Sequence, residues 1–390
     1  MAASELDIVF IESHDGGSHQ AFREGLVAAS AHRWRSLTLP PRFWKWRMRG
    51  ASAWFADQLN DDAAPVDVIV ATSLLNVADL RGLLAPPRDR APLVLYMHEN
   101  QLTYPLSPLE EFDFHFGFTN IISCLAADVV VFNSAYHRDL FLDALPAYLG
   151  RMPEAVPRDM RARLQDKCRV LAVGLDRDPL PAGPGAVWRG GRCAPDAGPP
   201  WPRDGRRPVI LWNHRWEFDK RPEQFAAAVG ALLDRGLDFD VILAGDGRHR
   251  DDVMRPLVDR LGDRCLHAGL AERAAYEQLL ERADIVVSCA DQEYFGIAVA
   301  EAVHAGCYPV LPRRQVYPSL YGTRCKGRHF YDTDEELVAL LADLVAGDAC
   351  GHVCSLARDM DEYCWSRLVP RYDELLTAVA GAAPAGGGHA

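Results

Sequence analysis

Short runs of valine, isoleucine and leucine alternate with longer amphipathic stretches along this chain, stop at a segment crowded with proline and glycine, and then resume. Apolar runs without an inward–outward alternation suit strands covered on both faces, the situation of parallel sheets joined by crossover helices. In the first half the predicted strands are Asp7–Ile11, Arg35–Leu39, Val66–Ala71, Leu93–Met97, Asp128–Phe132 and Arg169–Val173. In the second half they are Val209–Trp212, Phe239–Ala244, Cys265–His267, Asp284–Ser288 and Tyr308–Leu311. Between Asp176 and Arg207 the sequence has no period and reads as a linker or long loop. The expectation is an α/β protein of two doubly wound, Rossmann-like domains. Their bounds are 1–175 and 208–354, with a linker at 176–207, a helical tail at 355–380 and a disordered end at 381–390. A chain of 390 residues can bury two such cores. Open sheets of this kind bind ligands beyond the carboxyl ends of their strands, so chemistry is sought there.

In the second half, EYFGIAVAEAVHAGCYPVLP separates Glu293 from Glu301 by seven residues. A helix over Phe295–Ala305 puts Glu293 just before its N-terminus and Glu301 two turns in. Amides around Phe295 and Gly296 then face an anion such as a diphosphate, with one carboxylate free for sugar hydroxyls and the other for ribose hydroxyls. For two isolated glutamates, a helix cap and a surface side chain is the plainer explanation. Arg215 and Lys220 follow the first strand of this half in VILWNHRWEFDKRPEQF, where both can converge on phosphates. A glycine turn at Gly245 and Gly247 allows close backbone approach to a nucleotide.

In the first half, Gly16 and Gly17 open a helix near Ser18, either as a tight turn or for approach to phosphate or sugar. His98, Glu99 and Asn100 directly follow a strand and are expected to point into a cleft. Asn120, Asn133, Ser134 and His137 are further candidates. In LPPRFWKWRMRG, Arg42, Lys45, Arg47 and Arg49 interleave with Phe43, Trp44 and Trp46. Arginines pair with phosphates and tryptophans stack on bases, although an amphipathic helix with an aromatic core side fits equally.

The net charge of −12 argues against binding nucleic acid over the whole surface and leaves a local basic patch open. Ten cysteines without C-x-x-C pairs suit reduced thiols in the cytosol. Cys350, His352, Cys354 and Cys364 are the nearest approach to a metal cluster, but they lack the second half of a zinc spacing, and no metal is expected. The N-terminus has no signal-peptide pattern and no run approaches a membrane span, so the expected location is the cytoplasm.

Glu293, Glu301, Arg215 and Lys220 together make residues 205–378 resemble the retaining GT-B glycosyltransferases that use nucleotide-diphospho-sugars. The tail YCWSRLVPRYDELL around Trp365 looks like their last helix, which returns to the first domain. In the N-terminal half, ESHDGGSHQAF, RFWKWRMRGA, MHENQLTYP and FGFTNIISCLAADVVVFNSAYHRD are similar to the tRNA-queuosine α-mannosyltransferase family. The resemblance spans nearly the whole chain; the proline- and glycine-rich insertion is the main departure.

It implies a GT-B fold and retaining transfer of mannose from GDP-mannose to queuosine in the anticodon of an aspartate tRNA, with no cofactor beyond the donor. On that basis His98, Glu293, Arg215 and Lys220 are the catalytic candidates. Gly16, Gly17, Asn133, Ser134, Gly245, Tyr294, Phe295, Gly296, Ile297 and Glu301 join Arg215, Lys220 and Glu293 on the donor. Arg42, Trp44, Lys45, Trp46, Arg47, Arg49, Glu99 and Asn100 fall to the acceptor tRNA. Other readings share these residues: transfer of another nucleotide-sugar to a small molecule or glycan, a sugar-phosphate epimerase, or a non-catalytic protein that binds nucleotide-sugar or tRNA.

Overall fold

The computed structural model describes residues 5–107, 110–180, 206–245, 251–322, 328–346 and 356–382. Most of the expected linker and of the end segment 381–390 therefore lies outside the described residues, as do Gly247, Cys350, His352 and Cys354. The chain forms two compact units, one made of Met1–Arg177 with Tyr363–Ala390 and the other of Asp178–Glu362.

The sheet of the first unit contains β1 (Asp7–Glu12), β2 (Arg33–Thr38), β3 (Val68–Thr72), β4 (Leu93–Met97), β5 (Val129–Phe132) and β6 (Cys168–Val170) in the order β2-β1-β3-β4-β5-β6. Every pairing is parallel, with Ile8 beside Val68 and Ile69 beside Leu93. β3 and β4 are buried along their whole length, which is why each reads as an unbroken apolar run. β2 is an edge strand whose Arg33 pairs with Asp7 of β1, so apolar content marks its ends poorly. It begins two residues before the expected Arg35.

The second unit repeats the architecture with β7 (Val209–Trp212), β8 (Asp240–Ala244), β9 (Cys265–Gly269), β10 (Ile285–Val287), β11 (Tyr308–Pro312) and β12 (Phe330–Tyr331), ordered β12-β11-β10-β7-β8-β9. β12 is only two residues long and has no sequence signature. In each sheet the strand order reverses once beside the first strand, between β1 and β3 and between β7 and β10. Loops leaving the carboxyl ends at such a reversal diverge to opposite faces and open a crevice.

The C-terminal tail is three pieces rather than one helix: Leu356–Asp359, a 3₁₀ turn at Met360–Tyr363, and Trp365–Ala382. The break falls at Cys364, which bridges to Leu175, while the Leu175 amide donates to the Tyr363 carbonyl at 2.7 Å. The last piece packs on the first unit through Trp365, which lies over Gly25 and Gly174. A Cβ on these glycines would stand 1.9 and 2.2 Å from the indole. Tyr372 hydroxyl donates to the Ala172 carbonyl at 2.7 Å, and Asp373 accepts from Ser30 hydroxyl at 2.6 Å.

Candidate active site

Lys220 and Glu293 come from the two loops that leave β7 and β10, the strands flanking the reversal in the second unit. Lys220 Nζ donates to the Gln292 carbonyl at 2.7 Å and lies 3.2 Å from both Glu293 Oε2 and Asp219 Oδ2. Its side chain is 10% exposed. Burial works against its charge, but Glu293 and Asp219 more than offset that and hold its pKa above the usual lysine value, with the nearby Arg215 opposing them. The cation is thus fixed and desolvated. Arg215 is the outer charge: its side chain is 57% exposed and pairs with Glu217 at 2.9 Å.

The helix after β10 runs Ile297–Ala305, two residues later than expected, because Gly296 takes a left-handed conformation at φ 81°. Glu293 Oε1 accepts the Gly296 amide at 3.1 Å, so this carboxylate occupies one of the donors expected to meet an anion. The remaining amides of the first turn have no intrahelical partner. Tyr294 and Phe295 are buried and contribute side-chain packing at this turn. With the later start, Glu301 lies just over one turn into the helix instead of the expected two, its carboxylate held by Arg273 at 2.6 Å. Arg273, from the helix Arg273–Arg282, was not singled out from sequence, where its i,i+4 partner Glu277 gives it the look of an ordinary surface charge. Gly245 has a packing reason for being glycine: a Cβ there would stand 1.9 Å from the His214 carbonyl oxygen.

In the first unit the groups beyond β1 and β4 form a buried cluster. Glu12, the last residue of β1, is fully buried, accepts the His14 amide at 2.9 Å and lies 3.1 Å from His19 Nδ1. Burial raises the cost of its charge, yet His19 and these hydrogen bonds hold its pKa below the usual carboxylate range. The His19 ring stacks on His98 with centroids 4.0 Å apart and planes 27° apart, and Phe22 and Tyr96 meet His98 edge-on. Burial first, then the charges of His19 and His137, push the His98 pKa well below the ordinary histidine value, so its ring stays neutral. Its Nε2 is buried with no hydrogen-bond partner among the described residues. Potential ligand atoms of Glu12, His19 and His98 all lie within 4.8 Å of one another. Within this cluster His19 is hydrogen-bonded to Glu12, and its ring carries that of His98.

Several sequence candidates here are occupied structurally. Gly16 abuts Pro41, 2.5 Å from a would-be Cβ, whereas Gly17 adopts φ 55° before open space as the N-cap of the helix Ser18–Ala29. Asn100 is fully buried and accepts the amides of Leu102 and Thr103 at 3.0 and 3.1 Å, so its side chain closes its own turn rather than reaching outward. Asn133 donates to the His98 carbonyl at 2.9 Å and also pairs with His137, while Ser134 caps the helix Ala135–Leu149 by accepting the His137 amide. Asn120 ties the Gln101 amide to the Ser73 carbonyl. Glu99 is half-buried, its amide near Ser73 Oγ. Asn100, Asn120 and Asn133 thus hold the loop that carries His98.

The aromatic and basic arm divides by residue. Trp44 faces inward onto Met48, Leu74 and Phe116, while Phe43 and Trp46 are 71% and 64% exposed. Arg42, Lys45 and Arg49 are exposed and Arg47 half-buried. Among the described residues no helix is long and apolar enough to cross a membrane.

Residues 7–175 match the family described as tRNA-queuosine alpha-mannosyltransferase N-terminal, and residues 198–364 match glycosyl transferases group 1. The tRNA-queuosine alpha-mannosyltransferase of Drosophila melanogaster is 34% identical over 381 residues, covering 95% of this chain and 97% of that protein. The chain belongs to this family. It is accordingly a glycosyltransferase, as its sequence resemblance implied. The alpha-D-kanosaminyltransferase of Streptomyces kanamyceticus matches over a shorter stretch, 29% identical across 25% of each chain. Among solved structures, sucrose-phosphate synthase from Thermosynechococcus elongatus superposes with a TM-score of 0.69 at 14% identity, covering 97% of this chain and all of that one. Anabaena HepE in complex with UDP and glucose gives 0.60 at 16% identity, covering 96% of this chain and all of its own. These neighbours carry the expected GT-B fold.

Proposed function

We propose that this enzyme transfers mannose from GDP-mannose to queuosine in the anticodon of a tRNA, with retention of configuration at the anomeric carbon. The observation that carries this reading is the relationship to a tRNA-queuosine alpha-mannosyltransferase over nearly the whole length of both chains. In this reading the second unit binds the donor. Lys220 and Arg215 neutralise the departing diphosphate together with the amides of the first turn at Ile297, and the carboxylates of Glu293 and Glu301 take sugar and ribose hydroxyls. Asp219 and Glu293 keep Lys220 charged and in place before the donor arrives, so little reorganisation is needed at the moment of reaction.

The anomeric carbon–oxygen bond to the diphosphate breaks as the bond to the queuosine hydroxyl forms on the same face, and the hydroxyl proton passes to the leaving diphosphate. Neutral His98 offers its Nε2 to a sugar hydroxyl, and Gly17 leaves open space beside the first helix. The chain's own cations supply the charge compensation, so the reading requires no further cofactor. Arg42 to Arg49 form the acceptor face, and a tRNA substrate together with the buried thiols of Cys124, Cys168 and Cys289, none of them in a disulfide, suits the cytoplasm.

The test is to incubate the pure protein separately with GDP-mannose and UDP-glucose in the presence of queuosine-containing tRNA, then to weigh the digested nucleosides. A hexose added to queuosine from GDP-mannose alone is the expected result. Transfer only from UDP-glucose, or only to small acceptors, overturns it.

A further inference from the structure

The helix Trp44–Asp61 begins with a left-handed, non-glycine residue, Phe43 at φ 57°, whose ring projects into solvent. L-residues seldom adopt this conformation, and here it presents an apolar ring outward rather than burying it. One turn on, Trp46 is also exposed and lies against Gly50, where a Cβ would stand 2.8 Å from the indole. Arg42 sits over the Phe43 ring at 5.8 Å and Lys45 over Trp44 at 5.5 Å. Residues 42–49 contain four basic side chains and no acidic one, in a chain of net charge −12.

Two of these cations already hold anions. Lys45 Nζ pairs with Glu110 at 2.8 Å and Arg49 with Asp113 at 2.7 Å, and all four side chains remain between 36% and 47% exposed. Lys45 and Arg49 are four residues apart and so share one helix face. Both carboxylates belong to the connection between β4 and the helix Phe114–Ala126, which starts at His98. Exposed pairs of this kind contribute little stability and are cheap to exchange.

We propose that Glu110 and Asp113 occupy the places of two RNA phosphates, so that the acceptor tRNA binds by displacing them, while Phe43 and Trp46 stack on unpaired bases of its loop. The inference rests on the tRNA reading above. Exposed flat rings alternating with cations fit a single-stranded loop, whose unstacked bases accept aromatic faces, better than a duplex, which hides them. Phosphates that replace the carboxylates also release condensed counterions, which the internal pairs do not.

The experiment measures affinity of the full-length protein for queuosine-containing tRNA across a salt series. Neutralising the competitors with Glu110→Gln and Asp113→Asn, singly and together, preserves side-chain shape. After Asp113→Asn the amide oxygen can still accept the His115 backbone N–H that the Asp113 carboxylate caps at 2.8 Å. The double variant is expected to bind about threefold to tenfold tighter than the parent. Lys45→Gln with Arg49→Gln should weaken binding and make the slope of log affinity against log salt shallower by up to about 2. Phe43→Ala and Trp46→Ala should weaken binding without changing that slope. Unchanged or weaker binding by Glu110→Gln and its double variant overturns the exchange, as does tightening toward anionic phospholipid vesicles but not tRNA. Nucleoside mass is followed in the same preparations. Hexose transfer by the parent with no tightening in the variants removes the exchange and leaves the proposed function. Tightening without any hexose transfer does the reverse.

Discussion

The two sheets end in opposite electrostatic environments at equivalent places. Beyond β7 and β10 the chain gathers full charges: Lys220 between Glu293 and Asp219, with Arg215 outside them. Beyond β1 and β4 it buries a carboxylate hydrogen-bonded to an imidazole and stacks a second, neutral imidazole upon that ring. A fixed cation suits a leaving diphosphate, whereas a neutral ring with an unused nitrogen suits an uncharged hydroxyl. The same fold therefore supplies two unlike crevices, and what distinguishes them is the handful of residues following the strands rather than the sheets.

If the second unit carries the leaving-group charge, Lys220→Met should have the largest effect. We expect kcat to fall about 100- to 1000-fold, the range for removing one preorganised charge stabiliser. Single-turnover transfer and nucleoside diphosphate titration both read it, and a variant that retains normal turnover would dissolve the contrast. Glu12→Gln tests the other crevice by removing the buried partner of His19 while keeping a hydrogen-bonding side chain. A loss on the order of 2 kcal/mol in denaturant unfolding is expected, accompanied by a raised KM from misplacement of His98. A stability loss without any kinetic change would make the pair purely structural.

Acid should act on both units through buried neutral histidines. The pKa values of His137 and His214 fall to about 3, each through burial first, and that of His98 moves the same way. A histidine whose folded pKa is depressed binds fewer protons folded than unfolded. Its contribution is complete above the unfolded value of about 6.5 and is lost as pH falls toward the folded one, by about 1.4 kcal/mol per pH unit for each. Melting temperature measured from pH 7 to pH 4 should decline accordingly, and His214→Gln should flatten the decline. Smallest of all, Glu301→Ala should raise the donor KM by about tenfold, the loss of one charged hydrogen bond, with kcat little changed. An unaltered KM would take Glu301 off the ribose.

Much of the fold was legible beforehand because parallel strands buried on both faces announce themselves as apolar runs, and the stretches that follow two of these runs contain the candidates Lys220, Glu293 and Glu301. What escaped reading depended on partners distant in sequence. Gly245 is glycine because the His214 carbonyl presses on it and Gly16 because of Pro41, neither of which a local glycine turn reveals. Asn100 and Asn133 look like site residues by position, yet their hydrogen-bonding capacity is spent holding loops. Glu12 and His19 flank the glycine pair and could have been suspected on that ground. The aromatic arm left two explanations open from its pattern, and the structure splits them by residue, with Trp44 inside and Trp46 outside.

The seat of Trp365 on Gly25 and Gly174 has a consequence for how the molecule is made. A ribosome delivers every residue of the Asp178–Glu362 unit before it delivers the helix that completes its predecessor. The later-encoded half can therefore finish folding first. Until then the nascent chain carries an uncovered aromatic face around Phe22 and Tyr96, a stretch of synthesis during which chaperone binding is to be anticipated.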